Sequence, residues 1–203
     1  KKIKIPLAII NARITLKSFK KWIRFPRIAT KIFGSFDLCL ASNKETEIFL
    51  KKLDVKNVKY YGNIKFINDL DQKSLVNPNK EILTKRYFWI AASTHPGEEE
   101  LCLKAHLLLK RKYDNILTII APRHIDRCRN ISILCEKYKI NSQILTSDEL
   151  IESKNEVVIL NSFGVLQSYF KYAKSVFMGK STLKKLEEVG GQNPLEAVKL
   201  KCK

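Results

Sequence analysis

Tyr87-Phe88-Trp89-Ile90-Ala91-Ala92-Ser93-Thr94-His95-Pro96-Gly97-Glu98-Glu99-Glu100 begins as an unbroken apolar run and ends as an acidic helix start. Six apolar residues without alternation suit a strand covered on both faces, as in a parallel sheet flanked by helices. Residues 97–112 then read as a helix, and its first-turn carboxylates sit where the helix dipole favours negative charge. The same alternation runs downstream: strand 115–121, helix 126–138, strands 143–145 and 156–160, helix 165–172, strand 175–178, and a helix beginning at Pro194. Upstream, residues 5–11 read as a strand buried on both faces. A basic amphipathic helix over 15–33 follows, which Pro26 kinks or splits. Strand 36–41, helix 44–53 and strand 55–61 complete this part. Residues 63–85 are polar and read as a linker or surface helix. The fold class predicted is α/β, with two Rossmann-like domains over 1–67 and 68–203. Three strands opening at residue 1 predict a first domain whose earlier strands lie outside the chain. The second domain, ending two turns into its last helix, reads as truncated.

The chain has 203 residues, is 45% hydrophobic and carries a formal charge of +18, from 38 Lys and Arg against 20 Asp and Glu. That balance favours an anionic partner: nucleotide, phosphorylated lipid, anionic membrane or nucleic acid. Lys17, Lys20, Lys21, Arg24, Arg27 and Lys31 lie beside Phe19, Trp22 and Phe25. The segment reads either as a surface helix packed on a sheet or as one resting on an anionic membrane. Five scattered cysteines form neither a disulfide framework nor metal knuckles. No apolar run reaches the roughly 18 residues a membrane span needs.

Candidate ligand residues fall at the carboxyl ends of the predicted strands, where open α/β sheets bind ligands. Pro122-Arg123-His124 brings a guanidinium, whose fork matches phosphate oxygens. Gly164 follows one strand and Gly179-Lys180-Ser181 another. The latter lacks the glycine a P-loop requires, because Lys174 stands five residues before Gly179. Gly190-Gly191-Gln192-Asn193-Pro194-Leu195-Glu196 combines a glycine turn with a helix start. There Asn193 reads as N-cap, Pro194 as first helical residue and Glu196 as the partner of a capping box. It is either a well-capped helix or an anion site. No histidine or cysteine cluster has metal spacing, and no Gly-x-Ser-x-Gly elbow is present.

Together these residues resemble the Kdo transferases, which attach 3-deoxy-D-manno-oct-2-ulosonic acid (Kdo) from CMP-Kdo to lipid A precursor. The resemblance rests on Asn11-Ala12-Arg13, Gly62-Asn63-Ile64-Lys65-Phe66, Ala92 to Glu99, Ala121-Pro122-Arg123-His124 and Gly190 to Glu196. It implies a GT-B architecture, no cofactor and no metal. It also implies an inverting transfer in lipopolysaccharide biosynthesis, at the cytoplasmic face of the bacterial inner membrane. The implied CMP site comprises Pro122, Arg123, Phe163, Gly164, Val165, Asn193, Pro194, Leu195 and Glu196, with Lys65 stabilising transition-state charge. The implied partners are CMP-Kdo, the lipid A precursor and an anionic membrane surface, with no nucleic acid. The chain departs from the family pattern at Ile67, Val165 and Lys180. The family's general-base glutamate would precede residue 1, so this chain alone is expected to be inactive. Two alternatives are an inactive CMP-binding remnant and a basic nucleic-acid-binding protein.

Overall fold

The computed structural model describes residues 5–66, 75–182, 192 and 194–202. The chain divides into two compact units, Lys1–Asp69 and Leu70–Lys203, each a parallel α/β assembly.

In the first unit, strands β1 (Ala8–Ala12), β2 (Leu38–Ala41) and β3 (Val58–Tyr60) form a parallel sheet in that order. Helices α1 (Leu16–Ile23), α2 (Pro26–Phe33) and α3 (Lys44–Lys52) connect them. Pro26 splits the basic segment into two helices: Phe25 adopts φ −129° and ψ 61°, and Pro26 takes the first position of α2, where its missing N–H costs nothing. Phe19 stacks on Phe49 at 4.3 Å and Trp22 meets Phe33 edge-on at 5.1 Å. These contacts join Ile14, Cys39 and Leu50 in one core. Strand β1 differs from expectation. It is an edge strand, and Ile10 is 60% exposed, because the helix side chains of the core pack on the opposite face.

In the second unit, the strands β4 (Tyr87–Thr94), β5 (Ile116–Pro122), β6 (Ser142–Leu145), β7 (Val157–Leu160) and β8 (Val176–Met178) form a parallel sheet in the order β6-β7-β5-β4-β8. Helices α4 (Lys80–Lys85), α5 (Glu98–Lys110), α6 (Cys128–Lys137), α7 (Leu166–Phe170) and α8 (Leu195–Lys199) complete it. The apolar runs bury both faces, as period-2 alternation requires. Phe88, Ile90, Leu117, Ile119, Val158 and Leu160 face Leu83, Tyr169, Phe170 and Ala197. Ala91, Ile120, Val157 and Ile159 face Leu103, Cys128, Ile131 and Cys135. Fully burying each Ile or Leu contributes about 1.5–3 kcal/mol, so the two apolar layers hold the sheet between helices. Strand order reverses at β4, which has β5 on one side and β8 on the other. A crevice at such a reversal, beyond the carboxyl ends of the strands, is where doubly wound sheets bind ligands.

Candidate functional site at the switch point

Beyond β4 the chain turns sharply, with Ser93 at φ 54° and Gly97 at φ 100°, before α5 starts. The Glu98 side chain folds back and accepts the His95 N–H at 2.9 Å. It also accepts the N–H groups of Lys180 at 2.8 Å and Ser181 at 3.2 Å, and the Thr182 hydroxyl at 3.1 Å. Glu98 is fully buried. Burial, the largest single influence, pushes its carboxyl up, but the backbone bonds from Lys180 and His95 and the contacts of Thr182 prevail. They hold it below the ordinary carboxylate range. Glu98 thus ties the first turn of α5 to the loop after β8, a role beyond the dipole preference its position suggests.

This geometry redefines Gly179-Lys180-Ser181. The backbone donors of Lys180 and Ser181 are occupied by Glu98 and do not form an open phosphate cradle. Gly179 is required for packing: its N–H donates to the Ala92 carbonyl at 2.8 Å, and a Cβ there would lie 2.1 Å from the Ser93 oxygen. What the rim offers an anion is its side chains.

The Arg123 N–H donates to the Thr94 carbonyl at 3.0 Å, fixing the residue beside the switch point while its side chain stays exposed. The rings of His95 and His124 stand edge-to-face at 6.4 Å, and Gln192 Nε2 lies 3.5 Å from His95 Nε2. Burial, then Lys180 and His124, push the His95 pKa down against the pull of Glu98, so this imidazole is neutral at pH 7. Arg123, His95, His124, Lys180 and Gln192 therefore converge on one rim.

Phe163, Gly164 and Val165 lie farther along the same carboxyl edge. Phe163 is 68% exposed, Gly164 turns at φ 78° and Val165 caps α7. Gly164 and Val165 line a cavity of about 470 Å³ with Leu145, Thr146, Asp148 and Tyr169. One wall is Asn77-Pro78, from the stretch read as a linker. Asn77 Nδ2 donates to Ser168 Oγ at 3.0 Å, and Asn77 Oδ1 accepts the Asn79 N–H at 2.8 Å. Asn79 in turn accepts the Ile151 N–H at 2.7 Å and donates to the Glu149 carbonyl at 3.0 Å. Sequence reasoning missed these buried asparagines; their signal was the Asn-Pro-Asn turn chemistry inside a polar stretch.

Pro122 is buried at the end of β5. Gly190, Gly191 and Asn193 lie outside the described residues, as does the side chain of Lys65, whose backbone sits in the 3-10 turn Ile64–Phe66. Pro194, with φ −83° and ψ 0°, caps α8, so the helix begins at Leu195, one residue later than expected. Leu195 is half-buried and Glu196 exposed. At five residues, α8 offers a short dipole, and an anion there depends on neighbouring side chains. Among the described residues no three His, Cys, Asp or Glu side chains are grouped to hold a metal, and no helix is long and apolar enough to cross a membrane.

The sequence pattern of the family described as 3-Deoxy-D-manno-octulosonic-acid transferase (kdotransferase) matches residues 1–68. The 3-deoxy-D-manno-octulosonic acid transferase of Rickettsia prowazekii (strain Madrid E) is 31% identical over 196 residues, covering 94% of this chain and 41% of that protein. That of Haemophilus influenzae is 31% identical over 210 residues, covering 97% and 46%. The chain thus spans less than half the length of these relatives. A solved structure, the C-terminal CMP-Kdo binding domain of WaaA from Acinetobacter baumannii, superposes with a TM-score of 0.56 at 23% identity, covering 69% of each chain. That likeness establishes the Rossmann-like fold.

Proposed function

Because the chain belongs to the 3-deoxy-D-manno-octulosonic-acid (Kdo) transferase family, we propose that its second unit binds the CMP part of CMP-Kdo. In this reading the whole protein transfers Kdo to a lipid A precursor in lipopolysaccharide biosynthesis. The observation that carries this reading is the convergence of Arg123 with Lys180 and neutral His95 at the sheet's switch point. The donor's bond between anomeric carbon and phosphate oxygen breaks as the acceptor hydroxyl attacks from the opposite side, inverting the centre, and the hydroxyl proton passes to the general-base glutamate that the resemblance implies elsewhere in the whole protein. Negative charge then grows on the departing CMP. Arg123, whose planar fork matches two phosphate oxygens, stabilises that charge without a metal. Pro122 sets the Arg123 turn, the 163–165 loop borders the nucleoside, and Pro194, Leu195 and Glu196 close the phosphate side, with Asn193 carried as a CMP-binding residue by the resemblance alone. By the resemblance, Lys65 stabilises transition-state charge in the whole protein. The exposed Phe25, Ile28 and Ile32 beside Arg24, Arg27 and Lys31 hold that unit peripherally on the anionic inner face of the bacterial membrane.

A second reading, CMP binding without turnover, is favoured by Val165, an apolar side chain where the resemblance has an acidic one. Titration calorimetry tests the binding common to both. CMP is expected to release heat with the 203-residue chain, and Arg123→Ala to weaken binding roughly tenfold to hundredfold, the range of a charge-assisted pair. No heat at millimolar CMP, with Arg123→Ala indistinguishable from the parent, would refute the assignment. Supplying CMP-Kdo and acceptor, with mass detection of the added sugar, separates the two readings.

A further inference from the structure

The cavity at the ends of β6 and β7 contrasts with the rest of this chain. Among the described residues that line it none is a lysine or arginine, although the formal charge is +18. The described lining thus offers phosphate no cation, whereas Arg123 and Lys180 stand at the switch point. The floor is apolar, from Leu145, Leu160, Val165 and Tyr169, and suits the face of a flat ring. Most of the polar groups in the wall are already engaged: Asn77 holds Ser168 and Asn79, and the Ser168 hydroxyl donates to the Val165 carbonyl at 2.8 Å. Asp148 is the one carboxylate among the described residues that line the cavity. Its Oδ2 accepts the Ser147 hydroxyl at 3.3 Å, and it lies on an exposed loop.

An ionised carboxylate accepts hydrogen bonds and cannot donate them. Resting on the CMP reading above, we infer that this cavity holds the nucleobase and that Asp148 is a specificity-determining residue, accepting from the exocyclic amine of cytosine. Uracil carries a carbonyl oxygen at that position and sets acceptor against acceptor. The cavity thereby selects an amino-bearing pyrimidine, while the switch-point cations bind the phosphate that all nucleotides share. This is the same pairing by which Asp and Glu read the cytosine amine in nucleic acids.

The test is calorimetry of CMP and UMP with the full chain, Asp148→Asn and Asp148→Ala, each first shown to melt cooperatively. The parent is expected to prefer CMP over UMP by roughly tenfold to hundredfold, the range of a hydrogen bond to a charged group. Asp148→Asn, whose amide also donates, is expected to bind UMP better than the parent does and to bring the ratio near one. Asp148→Ala is expected to weaken CMP and, with the opposing acceptor gone, to bind UMP somewhat better than the parent does, so that the ratio falls from both sides. If the parent binds CMP and the CMP-to-UMP ratio survives both substitutions, the role of Asp148 is overturned and the CMP reading stands. If the parent binds neither nucleotide, both are overturned.

Discussion

Gly179 runs so close to Ser93 that a Cβ at residue 179 would lie 2.1 Å from the Ser93 carbonyl oxygen and 2.8 Å from the Thr94 Cα. Both obstacles are backbone, so no side-chain rotation relieves them. Gly179→Ala is expected to lose about 1–3 kcal/mol or more, as overpacked sites do. Gly164→Ala meets nothing within 4 Å and bears only the strain of φ 78°, about 1–2 kcal/mol. Urea melts of the two variants check the contrast: Gly179→Ala should lose more stability than Gly164→Ala.

Glu98 holds the same junction electrostatically. Its folded-state pKa lies below the unfolded value of about 4.3. Its stabilising contribution is therefore fully present above that pH and is lost as the pH falls through the folded value. Glu98→Gln removes the titration and replaces a carboxylate by an amide that cannot accept all four donors. Each stranded buried donor costs roughly 1–3 kcal/mol. The variant should be less stable than the parent at pH 7, and the gap should narrow towards pH 3. A constant gap across that range would rule out an ionised Glu98 as the source of the stability.

The strand-helix alternation was legible because the apolar runs of β4 and β5 are covered on both faces and leave no ambiguity of period. Pro26 likewise announced the break between α1 and α2. Glu98 was opaque because an acidic first turn is what any helix prefers, so its sequence position gave no sign of the loop 82 residues away that it holds. Gly179 misled for the opposite reason: next to Lys180 and Ser181 it suggested phosphate, whereas its steric neighbour, Ser93, is visible only in three dimensions. Arg123 could be singled out because a cation at a strand's carboxyl end needs no long-range contact to be read, and the structure puts it directly after β5. The Asp148 cavity joins β6, β7, α7 and the Asn77 turn, a juxtaposition no local pattern encodes.

His106 offers a pH handle away from the rim. It is fully buried, and its Nδ1 lies 2.9 Å from Thr118 Oγ1. Burial pushes its pKa down to about 4; Lys110 and Arg86 add to this and Glu156 opposes it. The folded state resists protonation, so its contribution is present above about pH 6.5 and is lost as the pH falls from there to about 4. The difference amounts to ~3 kcal/mol. Unfolding free energy measured by urea should fall over this interval, and His106→Gln should flatten the fall even if it is less stable at pH 7. An unchanged slope in His106→Gln would assign the acid sensitivity to other groups.

The last prediction concerns the surface of α1 and α2. Trp22 is half-buried against Phe33, so it offers a membrane less of its ring than its place among cations suggests. Phe25 at 61%, Ile28 at 52% and Ile32 at 43% exposure remain outside, together with the exposed Lys20, Lys21, Arg24, Arg27 and Lys31. The two sets make different demands. A cation near an anionic surface contributes about 1 kcal/mol, or roughly fivefold in affinity, and salt screens it. Inserted apolar side chains add affinity that salt does not remove. In vesicle sedimentation the chain should pellet with anionic phosphatidylglycerol vesicles and much less with neutral phosphatidylcholine. Replacing Lys20, Lys21, Arg24 and Arg27 by Gln should reduce anionic binding by about a hundredfold or more. Phe25→Ser with Ile28→Ser should weaken what persists in high salt, leaving the melt unchanged because neither side chain belongs to the core. Equal recovery on both vesicle types would leave these helices as a solvated surface and remove the membrane from the proposed function.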